Sequence, residues 1–133
     1  MSHQPEQSGP RENQVEVTVQ TEFLPEKSEP HENLYFYAYT ITIHNAGAVA
    51  CQLISRHWII TDATGHVEEV RGPGVVGQQP VLQPGQSHTY TSGCPLRTPV
   101  GSMQGSYQMI NARGAHFVAE IPAFTLAQRY AIN

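Results

Sequence analysis

A chain of 133 residues with 39 % hydrophobic side chains is one domain's worth of sequence and enough to bury a core. Only 14 % of residues are charged, against roughly 25 % in an average domain, and 11 Gly with 10 Pro favour turns over exposed helices. A net charge of −4 without any basic run gives a phosphate backbone nothing to hold, so no nucleic acid partner is expected. No stretch approaches the ~20 apolar residues of a membrane span, so no membrane insertion is expected either.

Residues 1–13 are polar, contain Pro5, Gly9 and Pro10, and lack the apolar segment of a signal peptide. They read as a disordered N-terminal tail, with the folded domain spanning 14–133. The two cysteines, Cys51 and Cys94, show no CxxC spacing. Together these features predict a cytoplasmic protein with both thiols reduced.

From Val15 to Phe23, valines alternate with Glu16, Thr18, Gln20 and Glu22, the period of a half-buried strand. Residues 24–32 form a loop. Residues 34–45 are aromatic and β-branched on both faces, which suits a central strand, and Asn45-Ala46-Gly47 then turns the chain. Residues 50–61 make a third strand, with Ile54, Trp58 and Ile60 on one face and Cys51, Leu53, Ser55, His57 and Ile59 on the other. Trp58 is the expected core tryptophan of a sandwich. Residues 66–71 return as a short strand, 72–86 read as a Gly/Pro-rich loop, and 87–92 as another strand. Residues 93–101 again read as loop, ahead of strands at 105–111 and 116–121, where Pro122 ends or bends the chain. About seven strands without a helix predict an all-β fold, an immunoglobulin or fibronectin type III-like two-sheet β-sandwich.

Gly72-Pro73-Gly74-Val75-Val76-Gly77 has the spelling GxGxxG. A dinucleotide site needs a helix after that turn, and the prolines and glutamines that follow forbid one. The residual expectation is an anion-binding nest of backbone N–H groups over Gly72, Gly74, Val75, Val76 and Gly77. Seven histidines show no HxH or HExxH spacing, so no metal site or cofactor is expected. No GxSxG occurs, and Glu68 and Glu69 point to opposite faces of their strand and cannot act as an acid pair. Cys94, placed on a loop with Arg97 as its nearest cation in sequence, reads as a packed thiol. No catalytic residues are expected.

Several segments resemble the ApaG domain family of bacteria. They include Leu53-Ile54-Ser55-Arg56-His57-Trp58-Ile59-Ile60-Thr61-Asp62 and the run from Val67 to Gly77. Tyr90-Thr91-Ser92-Gly93-Cys94-Pro95-Leu96, Gly101-Ser102-Met103-Gln104-Gly105-Ser106-Tyr107 and Glu120-Ile121-Pro122 follow in the same order. The resemblance implies a fibronectin type III-like sandwich without established enzymatic activity, tied genetically to cobalt resistance and magnesium efflux. It also implies likeness to domains of an F-box protein and a DNA-polymerase-interacting protein that look like protein-binding modules. Three functions are therefore expected, in this order: a non-enzymatic protein-interaction module, a small-ligand (nucleotide or pyrophosphate) or divalent-metal binder, and a nucleotide hydrolase. The partner would be an unknown protein, met by a surface around His57, Cys94, Arg97, Leu53 and Ile59 and by loops 72–86 and 93–105. Either a monomer or a homodimer fits.

Overall fold

The computed structural model describes residues 11–128. Eight strands follow one another: β1 (Val15–Phe23), β2 (Tyr35–Asn45), β3 (Cys51–Asp62), β4 (Val67–Pro73), β5 (Val81–Leu82), β6 (Ser87–Leu96), β7 (Gly101–Asn111) and β8 (His116–Leu126). Two single turns of 3-10 helix, Pro25–Lys27 and Pro30–Glu32, join β1 to β2. One sheet has the order β1-β2-β6 and the other β4-β3-β7-β8, with β5 extending the edge of β3, and every pairing is antiparallel. This is a fibronectin type III-like two-sheet sandwich.

The core lies between the sheets, where Tyr37, Ile41 and Ile43 of β2 meet Leu53, Trp58, Tyr107 and Met109 of the facing sheet, each no more than 2 % exposed. Trp58 packs edge-on to Tyr39 and to Phe124, with ring centroids 5.3 and 5.9 Å away, a preferred aromatic geometry. It is the core tryptophan expected from the sequence.

The third strand departs from strict alternation. Its register against β7 shifts between Leu53 and Ser55, so Ile54 is a bulged residue. One extra residue reverses the parity, and Cys51 and Leu53 come to the same interior as Arg56, Trp58 and Ile60. The expectation that Leu53 faces away from Trp58 is thereby corrected: Leu53 is fully buried and belongs to no exposed surface.

Strands β6 and β7 are longer than their glycines and prolines suggested. Pro95 is tolerated because β6 is an edge strand. Gly93, Gly101 and Gly105 sit inside strands because neighbours approach too closely for a side chain. A Cβ on Gly93 would meet the Phe36 ring at 2.7 Å, and one on Gly105 would meet the His57 carbonyl oxygen at 2.1 Å. Cys94 consequently lies in β6 and not on a loop, which corrects its placement. What remains between β6 and β7 is a short turn at residues 97–100, docked on the β3–β4 turn where Thr98 Oγ1 accepts from the Ala63 amide. The turn at residues 83–86 sits at the opposite end of β6, where Gly85 N–H bonds the Asn45 carbonyl. The two stretches expected to be long loops therefore form no common platform.

The boundary of the tail also moves. Residues 11–13 lie against the domain, with Ala48 N–H donating to the Arg11 carbonyl and Asn111 Nδ2 donating to Glu12 and Asn13. The rest of the predicted tail, residues 1–10, falls outside the described residues, as does the end of the chain from 129.

Candidate interaction cleft

The two flanks of the sandwich differ. On one side β1 lies against β8. On the other, β4 and β6 are both edge strands, and a cleft opens between them along the molecule. Its inner part, about 360 Å³, is lined by Tyr39, Arg56, Trp58, Val70, Ser92 and Cys94. Its outer part, about 340 Å³, runs over Ile60 and Glu68 to Leu34, Leu96 and Arg97. Strand parity explains the lining: Glu68, Val70 and Gly72 stand opposite Ile60, Trp58 and Arg56, all on the inner face of the five-stranded sheet.

Arg56 fixes the cleft's electrostatics. Its Nη1 donates to the carbonyls of Pro73 and Gly74, each at 2.9 Å. Its guanidinium lies over Gly72, where a Cβ would come within 3.0 Å of Nη2. None of the ion pairs among the described residues involves Arg56. Burial raises the Tyr39 hydroxyl above its ordinary pKa despite a hydrogen bond with Ser92. Burial, aided by the Glu68 charge, pushes the Cys94 thiol up to about 11. A neutral thiol of this kind is a poor nucleophile.

The glycine motif is built into this wall. Gly72 makes room for Arg56, and Gly74 at φ +62° lets the chain pass close to the Gln78 carbonyl. Val76 (φ 46°) and Gly77 (φ 77°) form a two-residue turn between Val75 and Gln78, which exchange hydrogen bonds of 2.8 and 3.0 Å. Positive φ at both central positions is the signature of a type I′ hairpin. The amides of Gly74, Val75 and Gln78 are thus engaged with protein carbonyls, and Val75 is buried at 1 % exposure. That leaves the expected anion nest without two of its donors, Gly74 and Val75, and withdraws Val75 from any ligand.

The surface residues expected to act together are dispersed. His57 and Ile59 lie on the outer face of the five-stranded sheet, beside a shallow depression of about 300 Å³ that also holds Gln104, Ser106 and Glu120. His57 Nε2 is 2.8 Å from Glu69 Oε1, which Arg71 Nη2 also reaches at 3.2 Å. Those two hydrogen bonds hold the Glu69 carboxyl below its usual pKa. Ser106 stands opposite His57 in register, and its hydroxyl oxygen accepts from Gln108 Nε2. Leu53 and Cys94 are interior, and only Arg97 of the expected set is exposed on the cleft. Arg56, Glu68 and Val70 were missed. The available signal was parity, since Arg56 has the parity of Trp58 and therefore belongs to the inner face.

A family model described as the ApaG domain matches residues 25–111, which include all the cleft residues named above. Protein ApaG of Pseudomonas paraeruginosa is 58 % identical over 116 residues, covering 87 % of this chain and 92 % of that protein. Protein ApaG of Dechloromonas aromatica is 56 % identical over 119 residues, covering 90 % and 94 % respectively. Among solved structures, the putative ApaA protein of Bordetella pertussis superposes with a TM-score of 0.88 at 48 % identity, over 90 % of this chain and 98 % of that one.

Proposed function

This chain belongs to the ApaG domain family, and on that premise we propose that it is a non-enzymatic protein-interaction module whose partner seats in the cleft between β4 and β6. The carrying observation is the cleft itself. It combines an apolar floor of Trp58 and Ile60 with a guanidinium at Arg56 that has no acidic partner among the described residues. A sandwich edge with an apolar centre and an unspent charge is the surface a partner chain completes.

The link to cobalt resistance and magnesium efflux that accompanies the family resemblance is read as indirect, exerted through the bound partner. Among the described residues no three His, Cys, Asp or Glu side chains gather where they could hold a metal ion. A cytoplasmic location fits both cysteines, which are buried and unbridged.

The test is site-specific photocrosslinking in cells, with a benzophenone amino acid replacing Leu34 or Arg97 in the cleft, or Thr42 on the outer face of the three-stranded sheet. A discrete heterologous adduct from the two cleft positions and none from Thr42 is expected. Equal labelling from Thr42, or no adduct from the cleft, removes this reading.

A further inference from the structure

The unpaired edge of β4 is complementary to itself. Hydrogen-bonding parity along the strand follows from its two ends: Asp62 N–H donates to the His66 carbonyl, and Gly74 N–H donates to the Ile54 carbonyl. With the register between them fixed, Glu68, Val70 and Gly72 direct their backbone groups toward β3. Val67, Glu69, Arg71 and Pro73 direct theirs away from the sheet, where no described strand receives them.

We propose that this edge pairs antiparallel with β4 of a second copy, in a register centred on Val70. The charges select that register. Antiparallel pairing about a two-fold axis must oppose outward-directed residues, and the registers that pair most of the strand centre on Glu69, Val70 or Arg71. At Glu69 or Arg71 like charges face each other directly, which destabilises a pair. At Val70, Glu69 opposes Arg71 of the second copy, twice by symmetry, and Val67 donates to the second lone pair of the Pro73 carbonyl, whose first accepts from Arg56. Proline at that place loses no bond within its own sheet, because its nitrogen would point outward.

The inner face agrees with the outer one. In this register Glu68 opposes Gly72 of the second copy, and Gly72 is the residue over which the Arg56 guanidinium lies. Each Glu68 carboxylate thereby reaches the Arg56 that lacks an acidic partner in its own chain. Between the two ion pairs, Val70, 40 % exposed in the single chain, meets its symmetry mate. Val67, 51 % exposed, is covered at the ends of the ladder. The product is one continuous sheet running from β8 through β4 into the second copy. The contact is one strand wide, well below the area of an obligate interface, so association is reversible and concentration-dependent. The inference stands on β4 and does not rest on the partner protein proposed above: the second copy and that partner compete for Arg56, and the crosslinking positions at the far end of the cleft report on the partner alone.

Sedimentation velocity from micromolar to millimolar protein tests it, using two single variants. In Glu69→Arg the register opposes arginine to arginine, and in Arg71→Glu it opposes glutamate to glutamate. Both side chains are more than half exposed, so circular dichroism should show unchanged folds. Wild-type protein is expected to dimerise with rising concentration, each variant alone to remain monomeric, and an equimolar mixture of the two to recover a heterodimer. Val70→Cys adds a register test. Directly opposed residues of a non-hydrogen-bonded pair have Cα atoms ~4.5 Å apart, within disulfide range. Mild oxidation should therefore give a covalent dimer, while Val67→Cys, which faces Pro73, should not. A wild-type protein that is monomeric at millimolar concentration, a dimer insensitive to both charge variants, or a mixture that stays monomeric overturns the proposal.

Discussion

The Cys94 thiol is 2 % exposed in β6, and burial together with the nearby Glu68 charge pushes its pKa up to about 11. Tyr90 and Tyr107 share this behaviour, since their hydroxyls are 2.5 Å apart in the core and burial raises both above the ordinary tyrosine value. In the unfolded chain these groups ionise from their ordinary values of 9.0 and 10.0. Between those values and the raised ones the folded protein binds more protons than the unfolded one, so stability falls as pH rises. Thermal melts should therefore hold a constant midpoint from pH 7 to about pH 9 and decline steadily above it. A midpoint unchanged at pH 11 would contradict this account. Native protein should also react slowly with a thiol reagent at pH 8 and rapidly once denatured. The packed thiol was legible around Cys94 but its place in a strand was not, because Gly93 and Pro95 read locally as loop. Gly93 is there to admit the Phe36 ring and Pro95 because the strand is an edge, and both reasons come from other strands.

Strand β3 shows what periodicity reveals and where it stops. The positions of Trp58 and Ile60 on the inner face follow directly from period two. Leu53 does not, because the bulge at Ile54 changes the parity of everything before it. The bulge is held from outside the strand: Gln79 Nε2 and Gly74 N–H both donate to the Ile54 carbonyl, and Leu53 N–H donates to the Pro80 carbonyl. The prolines and glycines of residues 72–80, which look like loop filler, supply those partners. Deleting Ile54 would close the bulge and leave Cys51, Leu53, Arg56, Trp58 and Ile60 in one unbroken alternation on the inner face, but would remove the carbonyl that accepts from Gln79 and Gly74. Two hydrogen bonds at roughly 1 kcal/mol each are a fraction of the roughly 5–15 kcal/mol that stabilise a domain. The deletion variant should therefore keep a cooperative thermal transition at a lowered midpoint, whereas Ile54→Val, which keeps both bonds, should melt within a few degrees of wild type. A non-cooperative melt for the deletion would mean that the core cannot form without the bulge.

At the scale of the molecule, the sandwich is closed where β1 meets β8 and open where β4 and β6 part, and this asymmetry is invisible to local sequence patterns. It arises from strand order, and the cleft it creates draws Tyr39, Arg56, Val70 and Cys94 from four different strands. The asymmetry has a direct dynamic consequence. Amides of β3 and β7 are bonded on both sides within the five-stranded sheet and should be the slowest to exchange with solvent. Along β4 protection should alternate at dilutions where single chains prevail. Glu68, Val70 and Gly72 donate inward to β3 and should exchange slowly, while Val67, Glu69 and Arg71 face outward and should exchange at rates near those of open chain. Residue-resolved hydrogen exchange reads the two classes separately. Uniformly slow exchange along β4 at high dilution would mean its edge is covered within the single chain. Uniformly fast exchange would mean that β4 is not held to β3, and the cleft wall carrying Glu68 and Val70 would then lack the rigidity a docking surface requires.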